Sequence, residues 1–137
     1  MTKALISQGA DVISPVLSSA SVGAWEAAQE EGVYCFALDL KQDDVYPGTV
    51  ITTALLDGSI VTYTYAKDFI EGNFSTEFKL LNIDMGAMDI TDMSDIAAAM
   101  GDQFPQDIKD TVMEIRDKII SGELEVPYNP VVRGEAE

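Results

Sequence analysis

Three short loops carry residue types suited to holding a small polar molecule: Ser18-Ser19-Ala20-Ser21, Asp39-Leu40-Lys41-Gln42 and Leu56-Asp57-Gly58. Each follows an apolar, strand-like run, and open parallel sheets bind ligands in the crevice at the carboxyl ends of their strands. Serine hydroxyls beside the free N–H groups of a helix start can hold a polar or anionic group. Asp39 stands just past an apolar run. It has the chemistry to accept hydrogen bonds from a vicinal diol, as acidic residues do for ribose in dinucleotide folds. Residues 84–86 form a fourth such loop if the strand before them is also parallel. The same residues have plain structural uses, since serines cap helices and aspartate forms turns. No G-x-G-x-x-G or Walker pattern accompanies them, so nucleotide phosphate binding has no support.

Other chemistries fall away on composition. The chain has no histidine, which removes Ser-His-Asp and Cys-His catalysis and histidine metal sites. Its one cysteine, Cys35, sits in Val33-Tyr34-Cys35-Phe36-Ala37-Leu38 and reads as a packed core thiol. Asp84, Asp89, Asp92 and Asp95 lack the D-x-[DN]-x-[DN]-G spacing of a calcium loop. They read as capping residues of a solvated segment whose interleaved Met85, Met88, Met93 and Met100 pack on the core. Asp43-Asp44 does not follow a first strand, as a phospho-acceptor pair would. A net charge of −16 with only 8 Lys and Arg among 137 residues excludes a nucleic-acid partner, whose phosphates need basic side chains. It also repels anionic membranes. No leader, lipidation motif or membrane-spanning run is legible, so the chain reads as a soluble domain.

These loops need elements to position them. The spacing predicts a helix tail over residues 1–8, a strand over 11–17 and a helix over 22–31 with Val22, Trp25 and Ala28 on one face. A strand covered on both faces is expected over 33–38, then a turn over 43–48 and a strand over 49–56. A helix over 59–71 capped by Asp57 follows, then a fourth strand over 77–83 and an irregular stretch over 84–102 with a short helix near 94–100. A last helix opens at Pro105, with Ile108, Val112, Ile115 and Ile119 at helical spacing and Gly122 as its stop. Strands alternating with helices predict an α/β fold, a parallel sheet with helices on both faces. A chain that opens on a helix leaves a sheet edge to be covered.

The order Gly9-Ala10-Asp11-Val12-Ile13, then a small-residue loop, is similar to a stretch of the basic membrane protein family. These are substrate-binding lipoproteins that include purine nucleoside receptors. The likeness continues through Glu31-Gly32-Val33-Tyr34, Leu38-Asp39 with Gln42, and Pro47-Gly48-Thr49-Val50-Ile51-Thr52. It resumes at Pro105-Gln106-Asp107-Ile108-Lys109, at Ile119-Ile120-Ser121-Gly122-Glu123 and at Val126-Pro127.

That resemblance implies one flavodoxin-like lobe of a type I periplasmic-binding fold, with residues 1–127 a partial second lobe lacking its first strand and 128–137 a tail. It implies a nucleoside or similar ligand held between two lobes by Ser18, Ser19, Ser21, Asp39, Gln42, Leu56 and Asp57, with no cofactor, no metal and no catalysis. Asp39 matches the family's ribose-holding acid. The family's Gly-Gly is Ser18-Ser19 here. Leu56, with Asp57 beside it, stands where the family has a lysine, a change favouring hydroxyl-rich or cationic ligands. The implied partners are an ABC permease in a full-length, lipid-anchored, extracytoplasmic parent and a homo-oligomer through the open sheet edge. The alternative reading is a small flavodoxin-like enzyme or a regulatory, self-associating domain using the same loops.

Overall fold

In a computed structural model, which describes residues 1–77 and 79–127, four strands lie in the order β1-β2-β3-β4. They are β1 (Val12–Ile13), β2 (Tyr34–Asp39), β3 (Val50–Leu56) and β4 (Met88–Ile90). Helices α1 (Thr2–Ile6), α2 (Ser21–Glu31), α3 (Gly58–Ile70), α4 (Ser94–Met100) and α5 (Gln106–Ser121) connect and flank them. The first three strands run parallel, so their carboxyl ends share one edge. The expected tail from 128 lies outside the described residues.

β1 is shorter than the apolar run 11–17 because Pro15 follows one residue beyond it. Proline cannot donate to a ladder and restrains the residue before it. α2 ends on Gly32 at φ +68°, a left-handed stop that glycine adopts without Cβ strain. The chain then enters β2 directly. α2 buries Ala24, Trp25, Ala27 and Ala28 and leaves Val22 exposed, so the packed face keeps Trp25 and Ala28 of the expected one, adds Ala24 and Ala27, and loses Val22. Ile13, Trp25, Ala28, Cys35, Ala37 and Val50 form the core cluster on this side of the sheet.

Burial along β2 alternates, with Cys35 and Ala37 buried and Tyr34 and Phe36 exposed. Cover on both faces was expected from the unbroken apolar run. On the second face Phe36, Leu38, Thr52, Ala54 and Ile90 line a shallow apolar groove of about 290 Å³. β2 and β3 are joined without a helix, and their register slips by one residue between Cys35–Val50 and Ala37–Thr53. The extra residue puts Thr52 and Thr53 consecutively into buried positions.

The fourth strand departs from expectation in place and direction. The described residues of 77–83 form no strand, and the edge of β3 is instead taken by Met88–Ile90, antiparallel. Thr91 fixes this pairing. Its hydroxyl accepts from Thr53 N at 2.9 Å, and the Thr52 hydroxyl donates to its carbonyl at 3.0 Å. Because β4 is antiparallel, the loop before it still reaches the carboxyl end of β3, where Asp57 N donates to Ala87 O. Of the four interleaved methionines only Met93 is buried, while Met85 and Met88 are 45% exposed. Their chains alternate outward on a short edge strand and its turn.

Three acids of residues 84–102 have separate structural duties. Asp92 accepts from Ser94 N at 3.1 Å just ahead of α4, and Asp95 meets Lys41 at 2.7 Å. Asp89 takes a bidentate grip from Arg116, tying α5 to β4. The Arg116 hydrogen bonds, aided by Ile90 N–H, hold the Asp89 carboxyl below its ordinary 3.8. A lowered folded pKa adds stability above the unfolded value that is lost as pH falls through the folded one. Asp89→Asn is therefore expected to lower unfolding free energy near pH 7 by about 1 kcal/mol. The gap to the parent protein should close below about pH 4, as read from urea midpoints.

Candidate functional site

The chain turns sharply where β1 ends. Leu17 N donates to Ser21 Oγ at 3.3 Å, closing the turn ahead of α2 and burying Ser21. Ser18 occupies φ +53°, a left-handed conformation unusual for serine. Ser18 and Ser19 are both exposed. Where β2 ends, Asp39 takes φ +79°. The peptide then doubles back, and Gln42 Nε2 donates to Leu38 O at 2.8 Å. Two non-glycine residues in sparsely populated conformations at adjacent strand ends cost energy and persist only where their surroundings over-determine them.

Between these two turns lies a groove of about 410 Å³, walled by Pro15, Val16, Leu17, Ser18, Ser19 and Ser21 on one side and residues 38–42 on the other, with Val22 and Trp25 of α2 beneath. The size is within the roughly 300–1,000 Å³ of small-molecule sites, and an apolar floor with few polar groups is their usual make-up. The charged groups in its wall are Asp39 and Lys41. Asp95 engages the Lys41 ammonium and raises its pKa, first through that hydrogen bond. Asp39 is exposed on the groove wall.

The structure thus brings five of the seven expected site residues to one groove: Ser18, Ser19, Ser21, Asp39 and Gln42. Ser21 and Gln42 spend hydrogen bonds on bracing its two loops. Leu56 and Asp57 stand apart at the end of β3, outside the groove wall. Asp57 accepts from Ser59 N at 2.8 Å as the cap of α3, and the Ser59 hydroxyl and N–H lower its pKa. The seven expected residues leave out Trp25 of the floor and, although its loop was singled out, Lys41 of the wall. Trp25 carried a signal, since it lies one turn into the helix that the serine loop opens.

Parallel strands whose carboxyl-end loops line one groove, with helices flanking the sheet, make an α/β domain of the open-sheet type. The chain belongs to the PnrA-like ABC transporter substrate-binding protein family, whose model matches residues 1–130. It is similar to basic membrane protein C of Borreliella burgdorferi, 28% identical over 120 residues, covering 85% of this chain and 32% of the relative. Among solved structures it shares its fold with a transcriptional activator of the comK gene from Bacillus halodurans (TM-score 0.72, 17% identity, 92% of this chain, 42% of the other). A second is an ABC transporter solute-binding protein from Aeropyrum pernix K1 (TM-score 0.61, 22% identity, 98% and 48%). The chain therefore spans about a third of the curated relatives' length and under half of these structures.

Proposed function

We propose that this chain is one lobe of the solute-binding component of an ABC importer and is not an enzyme. The lobe holds a nucleoside or similar hydroxyl-rich ligand at the groove between Ser18 and Asp39. The supporting observation is the placement of Asp39. An exposed aspartate and two exposed serines line one groove at the carboxyl ends of parallel strands, in a family of substrate-binding proteins. A carboxylate there accepts from two vicinal hydroxyls, Ser18 and Ser19 offer donors and acceptors opposite, and Trp25 gives an apolar floor. The partner lobe supplies the opposing wall and the permease contact, in an extracytoplasmic, lipid-anchored parent. Among the described residues no helix is long and apolar enough to cross a membrane.

Affinity in two-lobed receptors comes from closure around the ligand, so the isolated chain is expected to bind weakly. Titrating adenosine into the 15N-labelled chain should shift the amides of Ser18, Ser19, Asp39 and Gln42 in fast exchange, with half-saturation around 1 mM or weaker. Asp39→Ala should reduce those shifts, and 2′,3′-dideoxyadenosine should reproduce the loss without a mutation. Shifts confined to other surfaces, or unaltered by removing the diol, would count against the reading, as would micromolar affinity in calorimetry of the lone chain.

A further inference from the structure

The connection from β2 to β3 contains a carboxylate that the ligand reading does not use. Asp43 is 1% exposed, four residues past Asp39 and in the helix-free crossover. Its Oδ1 accepts from the Thr53 hydroxyl at 2.5 Å. The same Thr53 oxygen accepts the Gln42 N–H at 3.1 Å. Gln42 in turn donates from its carboxamide to Leu38 O. Asp43, Thr53, Gln42 and Leu38 therefore form one continuous hydrogen-bonded chain whose far end closes the Asp39 turn. Thr53 reaches this chain because of the register slip in β3, which gives its side chain a buried position directly after that of Thr52.

A hydroxyl has one proton and two lone pairs. With its proton committed to Asp43, the Thr53 oxygen can only accept, so it offers a lone pair to Gln42 N–H at all times. The acid thereby sets the polarity of the brace. Asp39 at φ +79° lies within the loop that this brace closes, and such a conformation needs an external clamp to persist.

We infer that Asp43 and Thr53 are positioning residues of the groove: the buried pair orients one hydroxyl to clamp the Gln42 amide and so holds Asp39 in its left-handed, groove-facing conformation. This rests on the proposed role of Asp39, although the clamp itself can be read without any ligand.

Amide hydrogen exchange in the full chain is the test, with Thr53→Val, Thr53→Ser and Asp43→Asn. Thr53→Val should speed exchange at Gln42 by about 100-fold or more through local opening, while Cys35 and Val50 amides change by less than about 3-fold. Thr53→Ser should return Gln42 to within about 5-fold of the parent, since it restores the hydroxyl. Asp43→Asn keeps an oxygen acceptor for the Thr53 hydroxyl but removes the charge that strengthens that bond; it should give a smaller, intermediate rise, and it serves in place of Thr53→Val if that variant does not fold. Adenosine-induced shifts at Asp39 should weaken in the same order. Unchanged Gln42 exchange in Thr53→Val, or a uniform rise across β2 and β3, would overturn the clamp. If adenosine leaves the parent's groove amides unmoved while the exchange pattern holds, the ligand reading fails and the clamp survives.

Discussion

Replacing Trp25 by alanine is expected to destabilise the chain by about 3–5 kcal/mol, the usual cost of deleting a large buried aromatic side chain. Trp25 is 3% exposed and belongs to the cluster with Ile13, Ala28, Cys35, Ala37 and Val50. Its ring tilts against Tyr46 at 6.4 Å between centroids, joining the β2–β3 crossover to α2. Its indole N–H donates to Phe36 O at 3.1 Å. Little else could fill the space, because the neighbours on α2 are alanines, whose short side chains cannot repack into a void. A small domain has about 5–15 kcal/mol in all, so the variant should be largely unfolded at 37 °C. Trp25→Phe keeps most of the apolar area and loses the hydrogen bond, and should cost about 1–2 kcal/mol. Urea unfolding followed by far-UV circular dichroism separates the two. A loss below about 1 kcal/mol for the alanine variant would mean that α2 is not anchored by this residue. Because Trp25 also floors the groove, the phenylalanine variant is the one in which ligand titrations remain interpretable.

What could be read from residue types was governed by how local each cause is. The short helix at Ser94–Met100 and the long one at Gln106–Ser121 match expectation closely, because Asp92, Pro105 and Gly122 set their ends through nearest-neighbour chemistry. Asp57 as the cap of α3 was legible for the same reason. The fourth strand was not. Residues 77–83 have better strand composition than Met88–Ile90, and what selects the latter is Thr91 meeting Thr52 and Thr53 across about 38 residues of chain. Propensity yields to such tertiary pairing. The groove follows a similar division. Its two serines and Asp39 stand at strand ends that residue pattern reveals, whereas Leu56, which stands at the family's lysine position, lies outside the groove wall. The turn at Asp57 caps α3 and donates its N–H to Ala87 O. The Asp43–Thr53 clamp depends on a one-residue register slip that no local pattern announces.

The thiol of Cys35 is expected to be nearly inert in the folded chain and fully reactive in the unfolded one. Cys35 is entirely buried, and desolvation pushes its pKa from 9.0 up to about 11. Since only the thiolate attacks, a two-unit rise lowers the reactive fraction at pH 8 by about 100-fold, and steric burial slows it further. A disulfide reagent should therefore modify the native chain at least ~100-fold more slowly than the chain in urea. The same shift has a thermodynamic consequence. A raised folded pKa means that the native state keeps a proton that the unfolded state has released. The stabilisation is complete below about pH 9 and disappears as pH rises through about 11, at about 1 kcal/mol per pH unit in between. Cys35→Ala lacks that slope, so the stability difference between the two proteins should change sign or narrow only above pH 9. Native reactivity close to the unfolded rate would show that β2 opens readily and that the core beneath the groove is not closed. With the thiol held protonated and covered, and no histidine in the chain to activate it, Cys35 is expected to stay out of covalent chemistry at neutral pH.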